Sequence, residues 1–214
     1  MKIESDSLAE PKKRGRPLSF DRDVAVERAM LLFWAHGYEA TSLNDLTQAL
    51  GVTPSSIYTA FGDKKGLFMA AIGRYLSGPV TSESIIEGAA TGYAAAEGLL
   101  RASAIGFTGK DTPPGCLLAS SAISCSAMAR DVQKALAGIR HKIEAQLRNK
   151  IAASIKRGHL PPEADAAGLA AHTMALIQGM STLARDGATR HKLLRIAEMG
   201  MQCWPVREPG EDGL

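Results

Sequence analysis

The stretch Thr41–Phe61, TSLNDLTQALGVTPSSIYTAF, decides the fold. Thr41 or Ser42 supplies a side-chain oxygen for the free backbone N–H groups of a helix start. Asp45 follows three residues after Ser42, a capping-box arrangement with Asp in the place of Glu. Leu43, Leu46 and Leu50 then share one face, and Gly51 ends the helix. Thr53 caps a second helix whose first position is Pro54, where a missing N–H breaks no hydrogen bond. Two helices of roughly eight residues joined by Gly51-Val52-Thr53 have the dimensions of a helix-turn-helix, whose second helix enters the DNA major groove. Advancing by about 100° per residue, Pro54, Ile57 and Phe61 fall in one sector and Ser55, Ser56 and Thr59 in the opposite one, with Tyr58 at the margin. The apolar sector suits packing, and the outward hydroxyls suit base edges or phosphates.

Outward from this pair the pattern stays helical. Upstream, Ala25, Ala29, Leu32, Phe33 and His36 recur at spacings of three and four, and Gly37 stops the stripe. Downstream, "GDKKGLF" offers Asp63 as a cap and sets Lys64 and Lys65 at a helix N-terminus, where backbone N–H groups and ammonium charge suit a phosphate. Beyond Thr81 the text is Ala-rich and broken at "GKDTPPGC", "KRGHLPPE" and "RDGATR", which predicts helices near 91–107, 116–124, 128–157, 163–186 and 189–204. No run alternates with period two, so the fold is expected to be all-α with about nine helices. The expected organisation is a basic arm over 1–20, a three-helix helix-turn-helix domain over 21–77, a larger helical ligand-binding and dimerisation domain over 78–205 and a tail over 206–214.

Composition narrows the function classes. The 214 residues are 45% hydrophobic, enough to bury a core, and the formal net charge is only +3. "MKIESDSLAEPKK" carries acids where a secretory signal needs an apolar stretch, and no segment approaches the roughly 20 apolar residues that span a bilayer. A cytoplasmic protein with no membrane partner is expected. Three cysteines are too few for a disulfide framework. His36, His141, His159, His172 and His191 lack zinc-ligand spacing and read as surface or satisfied core residues, so neither a metal nor a cofactor is expected.

The segment RAMLLFWAHGYEATSLNDLTQALGVTPSSIYTAFGDKKGLF, residues 28–68, closely resembles the N-terminal domain of the TetR-type family of transcriptional repressors. The resemblance is carried by Ala29, Phe33, Gly37, Tyr38, Thr41, Ser42, Gly51, Val52, Tyr58, Phe61 and Lys64. It implies an operator-binding homodimer with a ligand-responsive C-terminal domain, and it makes Thr41, Ser42, Thr53, Tyr58 and Lys64 phosphate or base contacts. Thr59 stands where many relatives carry His. "KKRGRP", Lys12–Pro17, contains an Arg-Gly-Arg that fits the narrow A·T minor groove, so Arg14 and Arg16 are expected to hold DNA beside the helix-turn-helix. One recognition helix reads too little sequence, so dimerisation is expected. The resemblance assigns the interface to the last two helices, with Leu169, Met174, Ile177, Leu193, Ile196, Ala197 and Met201 as candidates.

A pocket for a small-molecule effector is expected among the long helices, lined by Phe107, Cys116, Leu118, Met128, Met174 and Gln178. Pro113, Pro114 and Gly115 lead into Cys116 at a helix start, where the macrodipole would lower a thiol pKa. The segment also resembles the Gly-Cys-Leu opening of the sixth helix in one branch of the family. Cys116 is therefore either a small hydrophobe lining the pocket or a thiol that an electrophile or oxidant modifies. The leading function is a ligand-responsive repressor of a palindromic operator, not an enzyme. The competing readings are an enzyme using Cys116 as nucleophile and an architectural AT-hook protein that coats or bends DNA.

Overall fold

The capping chemistry expected at Ser42 and Asp45 is present in the computed structural model, which describes residues 20–123 and 125–205. The Ser42 N–H donates to the Asp45 carboxylate at 2.8 Å and the Asp45 N–H donates to Ser42 Oγ at 3.1 Å, opening α2 (Leu43–Leu50). Gly51 follows at φ 68°, and its N–H closes on the carbonyls of Thr47 and Gln48. A side chain held in that left-handed conformation costs roughly 1–2 kcal/mol, so the turn selects glycine. Thr53 then caps α3 (Pro54–Phe61). Before this pair runs α1 (Arg22–His36), capped by Asp21, and after it α4 (Lys64–Leu76), capped by Asp63.

These four helices close on Phe33 and Phe68, both fully buried, with ring centroids 4.9 Å apart edge to face. Leu46, Ile57 and Leu67 are also fully buried, and burying a side chain such as Ile57 contributes about 1.5–3 kcal/mol. Pro54, expected on the packed side, is exposed; at the first helical position it serves the backbone and not the core.

Six further helices follow: α5 (Ser82–Gly88), α6 (Gly92–Gly106), α7 (Leu117–Ser120), α8 (Arg130–Lys156), α9 (Ala166–Arg185) and α10 (Arg190–Met201). The described residues therefore hold ten α-helices, no strand, and a 3-10 turn at Ala127–Ala129. The unexpected one is α5, too short for a hydrophobic period but opened by a capping box between Thr81 and Ser84. The helix expected over 116–124 shrinks to the single turn of α7. Ser120 and Ser121 donate their hydroxyls to the carbonyls of Cys116 and Leu117, at 2.7 and 2.6 Å, and so offer the backbone a competing arrangement. Helix α6 lies at the centre, packed against α5, α8, α9 and α10, and its small residues Ala95, Ala96 and Ala104 allow close approach.

The first four helices are tied to the rest by specific bonds. Trp34 Nε1–H donates to the Gly115 carbonyl at 3.1 Å, and the Tyr38 N–H donates to the Ser121 carbonyl at 2.8 Å. Gly115 stands at φ 81°, and a Cβ there would lie 2.7 Å from the Ser181 carbonyl oxygen, so glycine is required twice over. Arg185, at the end of α9, donates to the carbonyls of Trp34 at 3.0 Å and Ala35 at 2.8 Å. Lys65 pairs with Asp131. Among the described residues, no helix is long and apolar enough to cross a membrane.

Candidate functional site

The outer face of α3 is the first candidate site. Ser55 and Thr59 are exposed, Tyr58 is 52% exposed and Ser56 is half-buried. Thr53 Oγ1 lies 2.9 Å from both Ser55 Oγ and Ser56 Oγ, so three hydroxyls gather at the N-terminus of α3, where the helix dipole favours an anion. Thr59 donates its hydroxyl to the Ser55 carbonyl at 2.8 Å and keeps its lone pairs outward. Lys64 folds back, with its ammonium 4.6 Å from the centre of the Tyr38 ring and donating to the Glu39 carbonyl at 3.4 Å. Partial burial lowers its pKa.

Not every expected contact reaches this face. Thr41 is 1% exposed, and its hydroxyl donates to the Gly37 carbonyl at 2.7 Å, so its side chain closes the α1–α2 turn and does not reach a DNA surface. Ser42 is exposed but gives its hydroxyl to Asp45, and these bonds hold the Asp45 carboxyl below its usual range. Lys65 is engaged by Asp131. Arg14 and Arg16 lie outside the described residues, as do the rest of the arm over 1–19, Ser124 and the tail over 206–214. A cation the sequence reading passed over is Arg22, whose guanidinium sits 4.9 Å from the centre of the Phe61 ring at the end of α3. Its place just after the α1 cap was the available signal.

The second candidate is a cavity of about 280 Å³ bordered by α1, α4, α5, α6, α7, α8 and α9. Phe107, Cys116, Leu118, Met174 and Gln178, named from the sequence, all line it. Met128 does not: it is 94% exposed, because α8 begins only at Arg130 and the 3-10 turn before it points outward. Trp34 from α1 and Tyr75 from α4 complete the wall and stack edge to face at 5.0 Å. The Tyr75 hydroxyl donates to Cys116 Sγ at 3.4 Å.

The chemistry of Cys116 is opposite to the expectation of a lowered thiol pKa. Burial pushes its pKa up, and the bond from Tyr75, the backbone N–H groups of Ala119 and Leu118 and the nearby Arg140 offset this only in part. A single helical turn carries little dipole, and the buried site disfavours the thiolate. Tyr75 is raised well above its usual value, first by burial and then by Cys116.

The apolar stripes of α9 and α10 divide differently from the sequence assignment. Leu193, Ala197 and Met201 are buried in the chain's own core. Met174 and Ile177 face the cavity, while Leu169 and Ile196 are half-buried. Helices have several apolar faces, and packing of α9 against α8 and α6 and of α10 against α6 and α9 decides which one turns inward. The outer face carries Leu176, Ile196 and the 56%-exposed Met199 around a shallow depression, beside exposed Ala171, Ala175 and Gly179. His172 is half-buried, with Nδ1 3.6 Å from Cys203 Sγ, and the other four histidines are exposed. No group of three or more His, Cys, Asp or Glu among the described residues could hold a metal ion.

Comparison with known proteins gives the family and the fold. A family model described as "Bacterial regulatory proteins, tetR family" matches residues 25–71, and one described as "Tetracyclin repressor-like, C-terminal domain" matches residues 98–197. The HTH-type transcriptional repressor ComR of Escherichia coli (strain K12) is 39% identical over 202 residues, covering 91% of this chain and 93% of the relative. The HTH-type transcriptional repressor BdcR of the same organism is 40% identical over 62 residues, 29% of this chain and 32% of its own length. Among solved structures, a cysteine-substituted form of the TetR family transcriptional regulator CifR, complexed with 26-bp double-strand operator DNA, superimposes with a TM-score of 0.84. It shares 34% identity, covering 89% of this chain and all of that one.

Proposed function

The chain belongs to the TetR family of bacterial regulatory proteins, and on that premise we propose that it is a transcriptional repressor that binds a palindromic operator as a homodimer and is released by a small-molecule effector. The observation that carries this reading is the outer face of α3, a rod held on a buried Ile57 with Ser55, Tyr58 and Thr59 turned to solvent. Tyr58 and Thr59 read base edges or pack on the backbone. Thr53, Ser55 and Ser56 hold a phosphate at the helix N-terminus, and Lys64 and Ser42 border it. Arg14 and Arg16 follow the adjacent minor groove. Residues 21–77 form the DNA-binding domain and 78–205 the effector and dimerisation domain, flanked by the arm over 1–20 and the tail over 206–214, and the protein works in the cytoplasm beside its DNA.

The dimer forms through the outer faces of α9 and α10. Leu176, Ile196 and Met199 supply apolar contact, and Ala171, Ala175 and Gly179 permit close helix approach. The effector enters the cavity behind α1 and α4. Because Trp34 and Tyr75 belong to the DNA-binding helices and also wall the cavity, an occupant that pushes on them favours a spacing of the two recognition helices that no longer fits successive major-groove positions. Operator affinity then falls by the ratio of effector affinities in the two states. Cys116 acts as part of the cavity wall, in the Gly-Cys-Leu opening that would mark one branch of the family. A raised pKa is the opposite of what a nucleophilic enzyme needs, and an architectural DNA-coating role leaves the cavity without purpose.

The test is a footprint on the DNA flanking the protein's own gene. A short palindrome protected by the wild type and lost in Tyr58→Ala, with an unchanged urea midpoint, supports the reading. Sequence-tolerant binding equally strong in Tyr58→Ala refutes it.

A further inference from the structure

The cavity has one chemical peculiarity. Its wall is mostly apolar, with Leu99, Phe107, Ile143 and Met174, and no Asp or Glu among the described residues contributes to it, yet Arg140 of α8 reaches in. One guanidinium nitrogen donates to the Leu118 carbonyl at 2.5 Å. The ion pairs among the described residues, Lys65–Asp131, Arg74–Glu27, Lys142–Glu83 and Arg195–Glu198, all leave Arg140 out. A half-buried guanidinium with five N–H donors and, among the described residues, one carbonyl partner carries a full charge against an apolar wall. Such a charge is costly unless an anion shares the site, and its fork matches a carboxylate with two parallel bonds. Gln178 and Ser103 add polar atoms to the same wall. At about 280 Å³ the space sits at the lower edge of ligand pockets, roughly 300–1,000 Å³, which suits a small molecule.

We propose that the cavity takes a small amphipathic organic anion, with its carboxylate on Arg140 and its apolar body against Leu99, Phe107 and Met174. This names the effector class and rests on the reading of the cavity as the effector site. The carboxylate neutralises Arg140, and the body fills the space between Trp34 and Tyr75 on one side and α6 and α9 on the other.

The experiment uses the full-length protein carrying Trp204→Phe, so that Trp34 of the cavity wall is the remaining tryptophan of two. Octanoate and benzoate are titrated against their neutral counterparts octanamide and benzamide, following Trp34 fluorescence, with calorimetry on the unsubstituted protein as an independent measurement. The acids are expected to bind at least about tenfold more tightly than the amides, and Arg140→Gln to reduce that preference to about twofold or less. Amides that bind as tightly as acids, a preference that survives Arg140→Gln, or no binding of either acid at millimolar concentration each overturn the proposal. Operator release is measured in parallel. Acids that bind through Arg140 without loosening the operator keep the anion site and sink the effector reading. Amides that bind equally and release DNA do the reverse.

Discussion

Replacing Arg185 by Met should loosen the joint between the DNA-binding helices and the rest of the chain. The Arg185 fork donates to the carbonyls of Trp34 and Ala35, at 3.0 and 2.8 Å, and to Ser120 Oγ at 3.1 Å. The two carbonyls belong to the last turn of α1, where no further turn supplies their N–H partners and where the helix dipole favours a cation. Hydrogen bonds to a charged group are worth about 1.5–3 kcal/mol, but Arg185 is exposed, so solvent and screening bring the whole contact down to about 1–2 kcal/mol. With a urea slope near the upper end of the usual 1–3 kcal/mol/M, the unfolding midpoint should fall by about 0.4–0.8 M without a change of slope. Arg185→Lys keeps the charge and loses the fork, so it should fall between Met and wild type. Circular dichroism in a urea series reads the midpoint, and a gel-shift titration reads operator affinity. An unchanged midpoint in Arg185→Met would show that water satisfies those carbonyls and that the latch has no strength.

Three further outcomes follow from the same contacts. Glu39, which accepts from the Ser126 N–H at 2.9 Å, and Asp131, paired with Lys65, both have lowered pKa values from those hydrogen bonds. Their stabilisation is therefore complete above the ordinary carboxylate range near pH 4 and is lost as pH falls through the lower folded values; urea midpoints below pH 5 should decline less steeply in a Glu39→Gln, Asp131→Asn double variant. Cys116, buried and with a raised pKa, should be alkylated by iodoacetamide at neutral pH far more slowly than the exposed Cys203, as read by peptide mass spectrometry; comparable rates would contradict the buried, neutral thiol. Met199→Glu, on the outer face of α10, should convert a dimer to a folded monomer in sedimentation, whereas Leu193→Glu, fully buried, should cost about 3 kcal/mol or more and unfold the chain.

The sequence by itself determined the helix-turn-helix. The Ser42–Asp45 box, the Gly51 turn, the Thr53 cap and Pro54 each act within three or four residues, so their geometry follows from local hydrogen bonding whatever surrounds them. The outward hydroxyls of α3 were legible for the same reason, because a period of 3.6 residues assigns faces once Ile57 is taken as buried. Part of the cavity wall was legible too: Phe107, Cys116, Leu118, Met174 and Gln178 were named from the sequence, but Trp34, Tyr75, Leu99 and Arg140 were not.

Tertiary structure alone decided which apolar faces of α9 and α10 turned in and which stayed out, why Thr41 is sealed while Ser42 is exposed, and why Met128 lies outside. It also favoured the buried reading of Cys116 over the reactive one, through neighbours Tyr75 and Arg140 that arrive from other helices. Trp34 meets Gly115 from 81 residues away, and Arg185 meets Ala35 from 150. Burial and electrostatic environment are sums over such distant arrivals, and no local periodicity encodes which segment completes the surroundings of a given side chain.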